Sequence, residues 1–481
     1  MDSSTVYYIT FASIAALLVL LRIAHGIRYF HQHYLRPWYL RHLAYARWYG
    51  SIARSIPLLP EDLLDLLLQT FYVSGTVVVN LIGVKDLPAA ASRAAQLALG
   101  NLVPLYFCHE DLGVFFLGVS ISRYSRIHQN IGIMVILQAV VHGAIRVQKE
   151  GLNLQDKRHF YGFLAAIMLV TLLVCRILKR RLYELFLKLH TGCALFLLYA
   201  LWKHINPQTG SSIVLMVMCV SLFGGSFLVQ VIRVLYRNVA LGRQSARSSL
   251  VLSGNTIQVH LMLPRPWKIR AGERINLAIP SAGLTSLFQS HPFVIVWWEN
   301  DIAGNGVSIF LLVRPRTGFT RKLRERLVDG QQYLALVDGP YGIARHGVSG
   351  HVGDYGHVFM VTTGIGIAAG IPYIKELLEG RRGGKVKTQR ISLVWQLEQN
   401  DDYSAARNWL QNLVSQDGDY QLRVLIFHPA RLESPMASMR IGEHNMIEVQ
   451  TKEADWEKEF LAEAQRQIGT MLVIGRIDPY I

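Results

Sequence analysis

A chain of 481 residues that is 51% hydrophobic, with a mean hydropathy of +0.26, is too apolar for one soluble domain and long enough for two or three domains. Its formal net charge of +16 does not point to nucleic acid, because the basic residues of the first half cluster between apolar runs, as in the cytoplasmic loops of membrane proteins. The four cysteines, Cys108, Cys175, Cys193 and Cys219, form no CxxC pair and lie in or beside apolar segments. That argues against a disulfide framework or a zinc site and for small apolar helix side chains.

The opening is expected to be an uncleaved anchor: MDSSTVYYIT has an Asp and no basic n-region, and the apolar run continues to Arg22 and Ile23. Seven candidate spans follow the hydropathy, near residues 5–23, 63–84, 89–107, 128–145, 160–175, 185–204 and 212–236. The third ends at CHED, whose His109, Glu110 and Asp111 belong at an interface and not in hydrocarbon. GVFFLGVS, which follows, is then interfacial. Arg28, Arg36, Arg41, Arg47 and Arg54 fall on one side of the spans. So do Arg123 and Arg126; Arg176, Lys179, Arg180 and Arg181, with Lys188 just inside span six; and Arg237, Arg243 and Arg247. That side is predicted to be cytoplasmic, which puts the N-terminus outside. Arg146, Lys149, Lys157 and Arg158 reduce the contrast from the other side.

Within the fourth span, HQNIGIMVILQAVVHG carries His128 and His142. Fourteen helical positions rise about 21 Å and return to within about 40° of one face. HTGCALFLLYALWKH repeats the spacing with His190 and His204. Both spans run outward in the charge-derived topology, so His128 pairs in depth with His190, and His142 with His204. Two imidazoles facing each other at one depth supply both axial ligands of a haem, and two levels give two stacked haems. Zinc is less suited, since only two imidazoles meet at each level. With 17 His among 481 residues, one such pair is unremarkable, but two pairs on spans of matching direction are not. His25, His31, His33 and His42 lie in the basic first loop and read as solvated side chains.

LGRQSARSSL, residues 241–250, reads as a linker, and beyond it the character changes. The runs IQVHLML, INLAIP, FVIVWW and VSIFLLV, punctuated by Gly and Pro, predict an all-β barrel. HPFVIVWW begins at His291. LLVRPRTGFTRKL provides a glycine turn at Gly318–Thr320 entering a helix, where backbone N–H groups can hold a phosphate. DGPYG, Asp338 to Gly342, ends the barrel. From about His357 strands alternate with helices, as in an α/β sheet. There VTTGIGIAAGIPYIKELL sets Gly364 and Gly366 between strand and helix. Such glycines let a pyrophosphate approach the backbone, although Gly-rich turns also serve packing alone.

In this order, the two H-x13-H pairs, LYELFLKLHTG, WKHI, HPF, GFTRKL, DGPYG and TTGIGIAAGIPYIKELL resemble the ferric reductase and NADPH oxidase family. The similarity is closest to fungal ferric-chelate reductases and covers roughly residues 90–478. The resemblance implies a multi-domain chain: an all-α transmembrane haem-binding bundle of about seven spans over 1–240, with its family core at about 90–240. An antiparallel β-barrel for FAD over 241–350 and an α/β domain for NADPH over 351–481 would follow as a ferredoxin-reductase-like module. His128, His142, His190 and His204 are then the haem ligands; His291, Pro292, Phe293 and Val294 the flavin motif; Gly318 and Thr320 the flavin phosphate turn. Asp338, Gly339, Pro340, Tyr341 and Gly342 join the two cofactor domains, and Thr363, Gly364 and Gly366 form the nucleotide turn. The implied activity carries electrons from cytosolic NADPH through FAD and two haem b groups to Fe(III) or Cu(II) across a membrane, expected to be the plasma membrane. Ferric chelates or cupric ions, the lipid bilayer and an iron-uptake permease or oxidase system are the implied partners.

Three departures qualify the match. Val294 stands where family members commonly have Thr or Ser after HPF, and Gln129 and Ile133 stand where many have Arg near the first haem His. Balancing haem propionates would then fall to Arg123 or Arg126. The sequence ends at LVIGRIDPYI, where the family continues to a Cys-Gly motif, so the nucleotide domain is expected to be incomplete, with an open sheet edge. Two other functions stay open: a superoxide-producing oxidase, and a non-catalytic b-type membrane cytochrome. A transporter is disfavoured, because the spans hold few charges away from their ends.

Overall fold

A computed structural model describes residues 9–13, 15–17, 61–107, 121–180, 182–205, 210–283, 291–302, 306–316, 318–342, 352–429, 440–441 and 447–476. The chain divides into two units, Met1–Gln230 and Val231–Ile481.

The first unit is helical. It contains α1 (Glu61–Leu81), α2 (Leu87–Leu102), α3 (Ile121–Glu150), α4 (Lys157–Cys175), α5 (Tyr183–His204) and most of α6 (Gly210–Asn238). Starts are set by side-chain caps: Asp86 accepts from the Ala89 N–H ahead of α2 at 2.8 Å, and Asp156 accepts from the Arg158 N–H ahead of α4 at 3.0 Å. Pro104 sits in the 3-10 turn Val103–Tyr106 that follows α2. Helix α3 runs well beyond the expected 128–145, because the polar stretch before His128 continues the same helix.

Among the described residues four helices are long and apolar enough to cross a membrane: Arg123–Glu150, Lys157–Lys179, Leu185–His204 and Gly210–Asn238. These correspond to the last four expected spans. The second and third expected spans are helices too. However, α1 begins on Glu61 and Asp62 with Asp65 close behind, and the 16 residues of α2 rise only about 24 Å against about 30 Å of hydrocarbon. Most of the first expected span, the CHED segment and the early histidines lie outside the described residues.

Leu99, Leu102 and Tyr106 pack with Val135, Ala165, Leu197, Ala200 and Met216 in the middle of the unit, and the Tyr106 hydroxyl donates to the Ala194 carbonyl at 2.6 Å. Apolar side chains also face outward, such as Val140 (61% exposed) and Leu228 (58%). Helices apolar on both sides suit a lipid surround. Cys175, Cys193 and Cys219 are buried and unbridged, as small apolar side chains should be.

The second unit starts in the last turns of α6. Strands β1 (Arg247–Ser253), β2 (Thr256–Trp267), β3 (Arg274–Ala278), β4 (His291–Val294), β5 (Trp297–Asn300), β6 (Gly306–Val313), β7 (Gln332–Leu334) and β8 (Leu336–Tyr341) form two antiparallel sheets. Their orders are β5-β6-β2-β1-β7 and β4-β3-β8. Two expectations need correction. The linker 241–250 is shorter, because Arg247 onward pairs with Met262 on one side and Leu334 on the other. FVIVWW is not one strand: the Ile295 N–H donates to Glu273 and the Val296 N–H to Phe310, so the chain changes sheets between β4 and β5.

The end of α6 is fastened to β8. The Asn238 side chain accepts from the Val337 N–H at 2.8 Å and donates to the Val337 carbonyl at 2.7 Å, as a neighbouring strand would. Arg237 donates to the Gly339 carbonyl at 3.0 Å, and the Arg233 guanidinium lies 4.6 Å from the Tyr341 ring centre.

The α/β part carries the sheet order β12-β13-β11-β10-β9-β14, with β9 (His357–Thr363), β10 (Arg390–Gln396), β11 (Leu422–Phe427), β12 (Arg440–Ile441), β13 (Ile447–Gln450) and β14 (Met471–Arg476). All pairings are parallel except β12 with β13. Helices α8 (Ile367–Arg382), α9 (Asp402–Gln416) and α10 (Trp456–Gln465) make crossovers, while the short α7 (Phe319–Arg326) belongs to the barrel. The closing run MLVIGR forms β14 beside β9. A buried charge cluster ties α10 to the starts of β9–β11. Glu463, 1% exposed, accepts from Arg390 at 3.0 Å, Ser392 at 2.7 Å and Arg423 at 2.7 Å, with His357 at 3.3 Å.

Candidate functional site

Helices α3 and α5 run in the same direction, and their histidines meet in the expected partners. The ring centres of His128 and His190 are 6.1 Å apart, those of His142 and His204 6.2 Å. Two imidazole–metal bonds of about 2 Å each, with half a ring beyond each nitrogen, put ring centres about 6 Å apart. Each pair can therefore hold one metal between its rings, the remaining positions being left to a planar group such as a porphyrin.

The surroundings orient two of the rings. Nδ1 of His142 lies 2.9 Å from the Ala91 carbonyl of α2, and Nδ1 of His204 lies 2.9 Å from the Arg158 carbonyl of α4. A carbonyl only accepts, so each Nδ1 carries the proton and leaves the Nε2 lone pair for a metal. Gly162 makes room for this: a Cβ there would stand 2.7 Å from Cε1 of His204. At the other level His190 has Phe186 beside it, ring centres 5.3 Å apart, and the Cys175 thiol 3.8 Å from its Nδ1. A second buried polar contact, Asn101 to Gln138 at 3.1 Å, joins α2 to α3 one turn before His142. None of these supports was visible in the sequence, because each depends on a carbonyl or small residue of a different helix.

In the barrel, β3 brings together two motifs that lie far apart in the chain. It pairs with His291–Val294 on one side and with the segment from Leu336 to Tyr341 on the other. His291 stacks on Phe319, ring centres 4.2 Å apart and nearly parallel, which sets the flavin motif against the Gly318 turn. Gly318 has φ +63 and precedes α7, and Thr320 accepts from the Arg316 N–H at 3.0 Å. Asp338, 5% exposed, accepts from the Tyr341 hydroxyl at 2.5 Å.

Thr363 ends β9, and Gly364 turns the chain with φ +44 into α8. The Gly364 carbonyl accepts from Trp395 Nε1 at 2.9 Å. With β10 on one side of β9 and β14 on the other, this turn sits where the strand order reverses, the usual ligand crevice of open α/β sheets. One acidic feature was not anticipated there. Glu398, just past β10, lies against Gly364, and Arg314 from the end of β6 bridges Glu398 at 2.7 Å and Asp402 at 2.5 Å. The order of the sequence motifs gives no hint of this charge cluster, whose members are 84 and 88 residues apart.

Comparison with known proteins matches three family models in succession. Residues 94–201 match the ferric reductase like transmembrane component, 242–345 an FAD-binding domain, and 355–470 the ferric reductase NAD binding domain. Three of the four paired histidines fall within the first match, and His204 lies just beyond it. Ferric reductase transmembrane component 3 of Saccharomyces cerevisiae is 24% identical over 322 residues, covering 63% of this chain and 42% of that protein. Ferric/cupric reductase transmembrane component 2 of the same yeast is also 24% identical, with the same coverage. Ferric/cupric reductase transmembrane component 2 of Schizosaccharomyces pombe is 21% identical, covering 61% of this chain and 59% of that protein. The chain thus spans about two-fifths of the length of the first two relatives and about three-fifths of the third.

Proposed function

We propose that this chain, which belongs to the ferric reductase family, is a membrane reductase of Fe(III) or Cu(II). Its electrons come from a nicotinamide dinucleotide, NADPH by the family resemblance, and cross the membrane by way of FAD and two stacked b-type haems. The observation that carries the reading is the pair of facing imidazole levels at 6.1 and 6.2 Å, fourteen helical residues apart. The FAD-binding and NAD-binding matches support the electron supply, and the relatives' names support a metal acceptor.

When bound, the nucleotide, flavin and haems supply hydride and one-electron transfer. The protein's own task is positional. His142 and His204 are held in the tautomer that presents Nε2 to a metal, and Gly162 keeps the space for one of those rings. The apolar helices keep both levels within hydrocarbon, where ions cross poorly. The flavin would lie along β4 and the Gly318 turn, and the dinucleotide over the Gly364–Gly366 turn. We place the protein in the plasma membrane, with the N-terminus outside and the second unit cytoplasmic. An iron-uptake permease or oxidase system is a fitting partner.

The test is an anaerobic visible difference spectrum of membranes containing the chain, taken with NADPH and then with dithionite. b-type bands with dithionite, most of them also produced by NADPH, are expected. Bands with dithionite alone would remove the electron supply from the proposal. Folded protein without bands would refute the haem assignment.

A further inference from the structure

Glu398 occupies the spot where the dinucleotide is expected to rest. A Cβ placed on Gly364 would lie 2.2 Å from Oε2 of Glu398, so the carboxylate covers the bare face of the turn glycine. A phosphate cannot be laid on that face while a carboxylate fills it, because the two anions repel at contact distance.

The two carboxylates that hold Arg314 are not equivalent. Asp402, 2% exposed, takes the Arg314 bond and also accepts from the backbone N–H groups of Glu398 at 2.8 Å and Gln399 at 2.9 Å. It is a fixed acceptor, built into the start of α9. Glu398 is held through Oε2 by Arg314, and its Oε1 is buried without a hydrogen-bond partner. Arg314, only 10% exposed, has a buried Nε that is likewise unmatched. Orphaned buried polar atoms are rare enough to need an explanation. Here the spare acceptor belongs to the same carboxylate that covers the turn glycine.

We propose that Arg314 is a phosphate ligand supplied to the dinucleotide by the flavin barrel, and that Glu398 is an internal anion holding its place until the pyrophosphate displaces it. Asp402 keeps Arg314 in position during the exchange. The incoming phosphate takes over the Arg314 Nη1–H given to Glu398, as a charge-assisted hydrogen bond of the kind guanidinium makes to phosphate. Arg314 stands four residues before Gly318, so the exchange would also bind the flavin segment to the nucleotide turn. This inference rests on the reading that Gly364–Gly366 takes a nicotinamide dinucleotide.

The exchange predicts opposite signs for the two partners, whereas a fixed structural clamp predicts loss from both. The experiment is calorimetric titration of the full chain, in nanodiscs and with its flavin bound, with NADP⁺ as the probe. Arg314→Gln should weaken binding about 10- to 100-fold, the size of a lost charge-assisted hydrogen bond. Glu398→Gln, which keeps the shape and removes the competing charge, should tighten it by about 3- to 10-fold. Arg314→Lys, which keeps the charge but not the second arm that Asp402 holds, should fall between wild type and Arg314→Gln. If Arg314→Gln does not fold, the tightening in Glu398→Gln alone decides the matter. Unchanged or weaker binding in Glu398→Gln overturns the exchange. So does loss of flavin from Arg314→Gln with NADP⁺ affinity intact, because Arg314 would then serve the flavin. If the flavin-loaded wild-type chain takes no NADP⁺, the nucleotide reading itself fails and the exchange falls with it.

Discussion

In the helical unit the four paired histidines come from two helices, and the separation of their two levels is a property of each helix alone. In the barrel and α/β unit, the segments that meet around β3 and around Gly364 lie tens of residues apart and are neighbours only through strand register. The difference lies in where geometry is stored. A helix stores it in its own rise and turn, so a ligand level can be damaged locally. A sheet stores it in pairing, so a change at one point is shared across the strands it aligns.

The largest effect is expected from His204→Ala. It should remove the outer haem and abolish external Fe(III) reduction, while flavin content stays as in wild type. Unchanged haem content, measured by pyridine haemochrome, would refute the pairing and erase the contrast between the units. Gly162→Ala is the finer version. Its new methyl would sit 2.7 Å from Cε1 of His204, tighter than side chains tolerate, so the ring must move. Reduction should fall roughly 10-fold, in keeping with the loss of a ligand support, with the spectrum of the inner level retained.

Glu463→Ala probes the other kind of storage. Removing the carboxylate leaves Arg390 without its counter-charge and Arg423 with only Glu448, at 3.7 Å, which should destabilise the α/β part by about 3–5 kcal/mol. Hydrogen exchange should show protection lost across the starts of β9, β10 and β11 together, with the haem spectrum unmoved. Loss confined to α10 would contradict the idea that damage spreads through the sheet. The same residue gives a pH dependence. Burial alone would raise the Glu463 carboxyl, but hydrogen bonds from Arg390, Ser392 and Arg423 hold it down at about 2. Its folded value lies below its unfolded one. The contribution, about 3 kcal/mol for such a shift, is therefore complete above about pH 4.5 and disappears as pH falls toward 2. Denaturant unfolding between pH 6 and 3 should show this decline in wild type and its absence in Glu463→Ala. The smallest change is Asn238→Ala, which deletes both bonds to Val337 and should lower barrel stability by about 1–3 kcal/mol.

The same distinction explains what could be read from residues alone. The fourteen-residue spacing of His128 with His142 and of His190 with His204 was legible because it is a helical property. The backbone partners of His142 and His204 were not, since a carbonyl carries no residue identity. In the second unit, HPF, GFTRKL, DGPYG and TTGIGI could be read in order, and the barrel and α/β sheet followed. The break of FVIVWW between two sheets could not, because an apolar run looks alike whether or not it changes partners. Glu398 was missed for a related reason: only register brings it over Gly364, and a single acid past a strand has no pattern.

Asn238 also sets where this protein can be divided. The apolar helix ends in residues that behave as part of the barrel: Asn238 completes the hydrogen bonding of Val337, Arg237 that of Gly339, and Arg233 covers Tyr341. A soluble fragment begun at the first strand would leave those backbone groups bare. One begun near Val231 would carry its own missing strand partner, at the expense of an apolar tail. The boundary between the greasy and the watery halves is therefore not the boundary between the modules, and any recombination that swaps one must take the last two turns of the helix with it.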